Sequence, residues 1–125
     1  MEGNEHTVLV VDDEPSLRLL CRVNLELEGY RVLEAGTVQV AKELVGREAI
    51  DVVLLDVHVG AGNGLDVLDE VEALDLPARV VMLSGTSEIS ADVRTRVDGV
   101  LGKPFALSDL SDAVSGKGSG RVANE

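Results

Sequence analysis

Three aspartates, a serine and a lysine stand where apolar runs end. Asp12 and Asp13 close "TVLVVDD", Asp56 closes "DVVLLD", Ser84 closes "RVVMLS", and Lys103 follows "GVLG". If those run ends meet, three carboxylates converge with a hydroxyl and an ammonium beside them. At about 4–6 Å and an effective dielectric of about 20, each carboxylate pair costs on the order of 3–4 kcal/mol. Lys103 alone relieves only part of that repulsion. A hard divalent cation relieves more, and Mg²⁺ takes oxygen ligands, usually one or two carboxylates with waters and a phosphate oxygen. The set reads as an Mg²⁺ site in which one carboxylate stays free to react.

The elements that must position these residues are legible in two alternating periods. Five short apolar runs, Thr7–Val11, Arg31–Ala35, Asp51–Leu55, Arg79–Leu83 and Gly99–Leu101, read as strands. "TVLVV", "DVVLL" and "RVVML" are almost continuously apolar, as strands covered on both faces are. "RVLEA" and "GVLG" are more mixed and read as edges. Between them lie helical repeats: Leu17, Leu20, Cys21 and Leu25 after Pro15, and Val38, Ala41, Leu44 and Val45 after Thr37. Leu68, Val71 and Leu74 follow Asn63. Ile89, Val93 and Val97 follow Ser87, and Leu107, Leu110 and Val114 form a short last helix. Strict alternation with short connections predicts a single doubly wound α/β domain, (βα)5, on a five-stranded parallel sheet of flavodoxin-like order 2-1-3-4-5. In such sheets the site lies at the carboxyl ends of the strands, where the five chemical residues stand.

The remaining composition narrows the function. A net charge of −12 repels nucleic acid and anionic lipid, and aromatics at 2% leave no stacking platform for bases, so no direct nucleic-acid or membrane partner is expected. The single cysteine, Cys21, excludes an internal disulfide and falls on an apolar helical stripe, where a packed thiol belongs. No run reaches the ~20 apolar residues of a membrane span, and "MEGNEHT" has no signal-peptide core, which predicts a cytoplasmic protein. The last residues, 116–125, are rich in Gly and Ser and read as a flexible tail or the start of a linker. The loop in "VVLLDVHVGAGNGLDVL" invites a nucleotide-binding reading. However, Gly60-Ala61-Gly62-Asn63-Gly64 brings its third glycine one place too early for G-x-G-x-x-G, and the loop follows the third strand instead of the first.

Taken together, "VLVVDDEP", "VVLLDVHVGAGNG", "VVMLSG" and "GVLGKPF" resemble, in order and spacing, the motifs of bacterial two-component response-regulator receiver domains of the chemotaxis-regulator-like kind. The resemblance covers residues 7–115. It implies that Asp56 is the phosphoacceptor, modified by a sensor histidine kinase, a histidine phosphotransfer protein or a small phosphodonor. It implies that Asp13 ligates Mg²⁺ (or Mn²⁺) directly, Asp12 mainly through water, and that Asp56 and the backbone carbonyl of His58 complete the protein's share. Ser84 and Lys103 would bind phosphoryl oxygens, while the His58 and Thr86 positions tune phosphoryl lifetime in this family. The result is a phosphoprotein switch acting on an output protein or domain, catalysing only its own phosphorylation and dephosphorylation.

The chain departs from the family at two places. Gly60 stands where receivers usually carry proline, which with Gly62 and Gly64 predicts a more mobile loop. Val100 replaces the Tyr or Phe whose ring moves inward on activation, and a β-branched valine has no comparable swing. A degenerate receiver acting as a phosphorylation-independent interaction module is the alternative reading. A haloacid-dehalogenase-type phosphatase would need a second aspartate where His58 stands, and a flavodoxin-type carrier would need a Ser/Thr-rich phosphate loop after the first strand.

Overall fold

The most apolar runs occupy the middle of one parallel sheet. In the computed structural model, which describes residues 6–84 and 89–116, five parallel strands are β1 (Thr7–Val11), β2 (Arg31–Ala35), β3 (Val52–Asp56), β6 (Arg79–Ser84) and β7 (Gly99–Gly102). Between β3 and β6 lie two short strands, β4 (His58–Val59) and β5 (Gly62–Asn63), paired antiparallel as a separate hairpin. The sheet order is β2-β1-β3-β6-β7, which counted over the five sheet strands is 2-1-3-4-5. The mixed runs are the edges. The strands of the third and fourth runs reach one residue further than their apolar stretches, so that Asp56 pairs with Leu83 and Ser84 with Gly102. Ladder pairing holds these polar residues in extended backbone where apolar patterning gives no signal.

Alternating side chains feed two cores. Leu9, Val11, Val53, Leu55, Val80 and Met82 point to one face, where α2 (Val38–Arg47), α3 (Leu65–Ala73) and α4 (Ala91–Arg96) bring Ala41, Val45, Val67, Leu68, Val71 and Val93. Val8, Val10, Val52, Leu54, Val81 and Leu83 point to the other, covered by Cys21 and Leu25 of α1 (Pro15–Leu27) and Leu110 and Val114 of α5 (Leu107–Ser115). Burial, with the Asp12 charge next, pushes the Cys21 thiol up to about 11, so it packs as a neutral side chain at physiological pH.

Local chemistry sets the helix ends. Pro15 opens α1, and Gly29 lies just past its end at φ +98°, where a side chain would be strained. The Thr37 side chain caps α2 by accepting from the Val40 amide at 3.1 Å. Helix α3 starts after Asn63, whose side-chain oxygen accepts from the Leu65 amide at 2.9 Å. The fourth helix differs from its expected start. Ser90 accepts from the Val93 amide at 3.2 Å and begins the helix at Ala91; Ser87 lies outside the described residues. Gly116, at φ +86°, ends α5, and residues 117–125 of the expected tail lie outside the described residues.

The apolar stripes are narrower than their sequence period suggests. Leu20, Leu74 and Leu107 are exposed, because only the i, i+4, i+8 line of Leu17, Cys21 and Leu25 faces the sheet from α1. Arg96 is partly exposed and donates to Asp69 and Glu72 of α3, tying the short α4 to its neighbour. Core and surface positions should therefore separate cleanly on substitution. Leu54→Ala, in the central strand, is expected to lose about 2–5 kcal/mol of stability. Leu27→Ala, on an 80% exposed position, is expected to change it by about 0.5 kcal/mol or less. Urea titrations of the two variants check both values.

Candidate functional site

The register of the sheet brings the chemical residues to one edge. Val11 pairs with Leu55, Asp56 with Leu83 and Ser84 with Gly102, so the chain leaves β1, β3, β6 and β7 at nearly one level. Asp12 follows β1, Asp56 ends β3, Ser84 ends β6, and Lys103 follows β7. The Lys103 amide donates to the Ser84 carbonyl at 3.1 Å, extending that ladder to the lysine itself. The Lys103–Pro104 peptide bond is cis.

Here the carboxylates converge. One oxygen from each of Asp12, Asp13 and Asp56 can be chosen so that all three lie within 4.8 Å of one another. Asp12 and Asp56 are buried, while Asp13 is exposed to solvent. The Lys103 ammonium donates to Asp12 Oδ2 at 2.8 Å and to Asp56 Oδ2 at 2.9 Å. Asp12 Oδ1 accepts from the Glu14 amide at 2.9 Å. The His58 amide makes a longer contact, 3.4 Å, with Asp56 Oδ1. Three carboxylates and one ammonium leave two formal negative charges, all presented on hard oxygen donors. A divalent cation with oxygen preference fits that set, and the exposure of Asp13 leaves room for the waters Mg²⁺ retains.

The electrostatics follow from the geometry. Burial holds the Asp56 carboxyl above its ordinary pKa; Lys103 works against that shift, and Asp12 adds to it. Burial alone would lower the Lys103 pKa, but its hydrogen bonds to Asp12 and Asp56 outweigh this and raise it. The ammonium therefore stays charged at neutral pH.

Ser84 is buried at the mouth of β6. His58 is exposed in the hairpin, and Val100 pairs with Met82 and packs half-buried against the core. Thr86 lies outside the described residues. Two residues that chemical patterning missed also shape the site. Arg18 of α1 donates to the Asp12 carbonyl at 2.7 Å. Gly64 packs against the backbone of Asp56, since a methyl group there would overlap the Asp56 carbonyl oxygen. Its amide donates to the Val57 carbonyl at 2.6 Å. The glycine-rich segment was the signal for the second. Its glycines divide the work, with Gly60 at φ +60° turning the β4–β5 hairpin and Gly64 permitting close approach.

Comparison with known proteins settles the family. Residues 8–115 match the family described as response regulator receiver domain. The chain belongs to that family. It is 29% identical to sporulation initiation phosphotransferase F of Bacillus subtilis over 110 residues, covering 86% of this chain and 89% of the relative. It is 34% identical to the transcriptional regulatory protein KdpE of Mycobacterium tuberculosis over 106 residues, 82% of this chain, but spans only 46% of that longer protein. Among solved structures, a CheY-like receiver domain from Methylobacillus flagellatus superposes with a TM-score of 0.82 at 19% identity, covering 91% of this chain and 99% of the other. A response regulator from Burkholderia pseudomallei, solved with a phosphorylated aspartic acid, calcium ion and citrate, gives 0.79 at 24% identity, covering 96% and 72%. Receiver domains are signalling modules of two-component systems, which connect sensor kinases to outputs.

Two variants probe how this receiver builds its site. Gly64→Ala is expected to cost about 1–3 kcal/mol, because backbone at Asp56 must move to admit the methyl group; chemical denaturation reads it. The Asp56 pKa is raised in the folded state. Its contribution to stability is therefore fully present below the unfolded value, near 4, and is lost as pH rises through the higher folded value. Asp56→Asn keeps the side chain neutral at every pH. It is expected to melt higher than the wild type at pH 7, with the gap closing as pH falls toward about 4. Thermal melts across that range measure the difference.

Proposed function

We propose that the chain is a phosphorylation-dependent switch in which Asp56 accepts a phosphoryl group with the help of Mg²⁺. The observation that carries this reading is the triad of carboxylates within 4.8 Å of one another, with Lys103 shared between the two buried members. Asp12, Asp13, Asp56 and the backbone carbonyl of His58 would hold the cation. When bound, Mg²⁺ (or Mn²⁺) would neutralise charge on the phosphoryl oxygens.

The protein's own groups do the rest. An Asp56 carboxylate oxygen attacks phosphorus in line as the phosphorus–nitrogen bond of a phosphohistidine breaks, and the imidazole leaves with the bonding electrons. Little covalent chemistry is asked of the site beyond positioning and charge stabilisation. Lys103, held charged at the mouth, pairs with a phosphoryl oxygen, and the Ser84 hydroxyl donates to another. The added charge on Asp56 then competes for Lys103 with Asp12 and draws Ser84 inward, biasing the surface between two states. With Val100 in place of an aromatic ring, that readout runs through Ser84 and the segment after it. His58 and Thr86 stand at the positions that tune phosphoryl lifetime in this family, and His58 contributes its backbone carbonyl.

We assign the receiver unit to residues 7–115. Its donor is a sensor histidine kinase, a histidine phosphotransfer protein or a small acyl phosphate, and its output a separate protein or domain. The outer face of α1 supports a protein donor: Leu19, Leu20, Val23 and Leu27 are exposed along the helix that follows the acidic pair and opens at Pro15. Among the described residues no helix is long and apolar enough to cross a membrane, and a cytoplasmic location fits the proposed partners. On the Burkholderia protein, a phosphorylated aspartic acid and a divalent cation occur in one structure.

Intact-protein mass spectrometry after incubation with a small acyl phosphate tests the reading. One added phosphoryl group is expected with Mg²⁺ and none without it or in Asp56→Asn. Modification of Asp56→Asn to the wild-type extent would assign the acceptor elsewhere. An unmodified wild type that also fails to bind Mg²⁺ would favour the phosphorylation-independent interaction module.

A further inference from the structure

Asp13 is the least supported member of the carboxylate triad. It is exposed, and among the described residues no hydrogen bond or ion pair holds its side chain. Asp12, by contrast, is fixed at both carboxylate oxygens, by Glu14 and Lys103, and at its amide, which donates to the Ala35 carbonyl at 3.1 Å. Whatever aims Asp13 must therefore act through the backbone. The Asp12 carbonyl and the Asp13 amide belong to one planar peptide unit, so holding the carbonyl sets the direction in which the Asp13 Cα and side chain depart.

Arg18 holds that carbonyl. Its Nη1 donates to the Asp12 oxygen at 2.7 Å while its Nε donates to Glu34 Oε1 at 3.0 Å. Glu34 stands on β2, and its second oxygen accepts from Arg22 Nη1 at 2.7 Å. Arg18 is 19% exposed, and Glu34 25%. Gly36, one residue past β2, leaves room for the guanidinium, since a Cβ there would come within 3.0 Å of Nη1. The planar fork of one arginine thus ties the β1–α1 turn to the neighbouring strand in a way a lysine ammonium does not reproduce.

We infer that Arg18 is a positioning residue of the cation site, clamping the Asp12–Asp13 peptide to Glu34 so that Asp13 points at the same place as Asp12 and Asp56. This rests on the proposed Mg²⁺ site. Positioning and simple electrostatics make opposite forecasts. Removing a positive charge beside three carboxylates should tighten cation binding if charge alone matters, whereas removing a clamp should weaken it.

The experiment compares wild type, Arg18→Ala, Arg18→Lys and Arg22→Ala, each shown to be folded by thermal melting. Mg²⁺ affinity is read by calorimetry, and amide hydrogen exchange at Glu14 is read by NMR in the metal-free protein. Arg18→Ala is expected to weaken Mg²⁺ binding about tenfold or more, the usual cost of losing a group that orients a metal ligand. Arg18→Lys should also bind more weakly than wild type, Glu14 exchange should accelerate in Arg18→Ala, and Arg22→Ala should match wild type in both. Equal or tighter binding by Arg18→Ala, or wild-type binding by Arg18→Lys, would overturn the inference. An equal loss in Arg22→Ala would overturn it too, because the effect would then belong to Glu34. If the wild type binds no Mg²⁺, the proposed function falls instead. The exchange data then decide the clamp: faster exchange in Arg18→Ala alone upholds it, and unchanged exchange ends it.

Discussion

Asp12 and Asp56 lie buried at the mouth of a sheet, and their mutual repulsion is tolerable only because one ammonium sits between them. Lys103 reaches both, at 2.8 and 2.9 Å, and the arrangement around it follows from that requirement. The pull is unequal to the task of full relief, since burial still holds Asp56 above its ordinary pKa. The site is left with an unpaid electrostatic cost, and such a site gains from a cation or from redistribution of charge. A fully neutralised cluster would have little reason to respond.

Delivering Lys103 to the aspartates is the work of the sheet. The two partners lie 91 and 47 residues away in sequence, and parallel pairing from β1 through β7 brings them level. The lysine's own amide continues the β6–β7 ladder through the Ser84 carbonyl. A one-residue slip in any pairing would exchange the side chains that feed the two cores, so the packing of those cores also protects the alignment of the site. Stability and function share the same register.

Close backbone packing supplies the rest. The β4–β5 hairpin returns the chain so tightly that Gly64 lies against the Asp56 carbonyl. On the opposite flank, Arg18 grips the Asp12 carbonyl from α1. Asp12 and Asp56 are therefore supported from both sides by contacts to main chain, which do not depend on the charge state of their carboxylates.

Much of this was legible in the residues alone. The near-continuous apolar runs identified central strands, the mixed runs identified edges, and helical spacing at Cys21 and Leu25 located a buried face, because apolar period reports burial directly. Asp12, Asp13, Asp56, Ser84 and Lys103 stood out because polar groups at the ends of apolar strands have one shared edge to occupy. What the sequence by itself could not determine were the interactions that depend on distance across the fold. Ser90 opens the fourth helix by accepting from the Val93 amide, Leu20 faces solvent because only the line of Leu17, Cys21 and Leu25 reaches the sheet, and Gly64 is demanded by a carbonyl eight residues back. Arg18 reads as one more charge on a helix until β2 places Glu34 beside it. Period and residue type encode which face a side chain takes; only tertiary packing decides which groups come within hydrogen-bond reach, because those bonds form between segments that no local pattern relates.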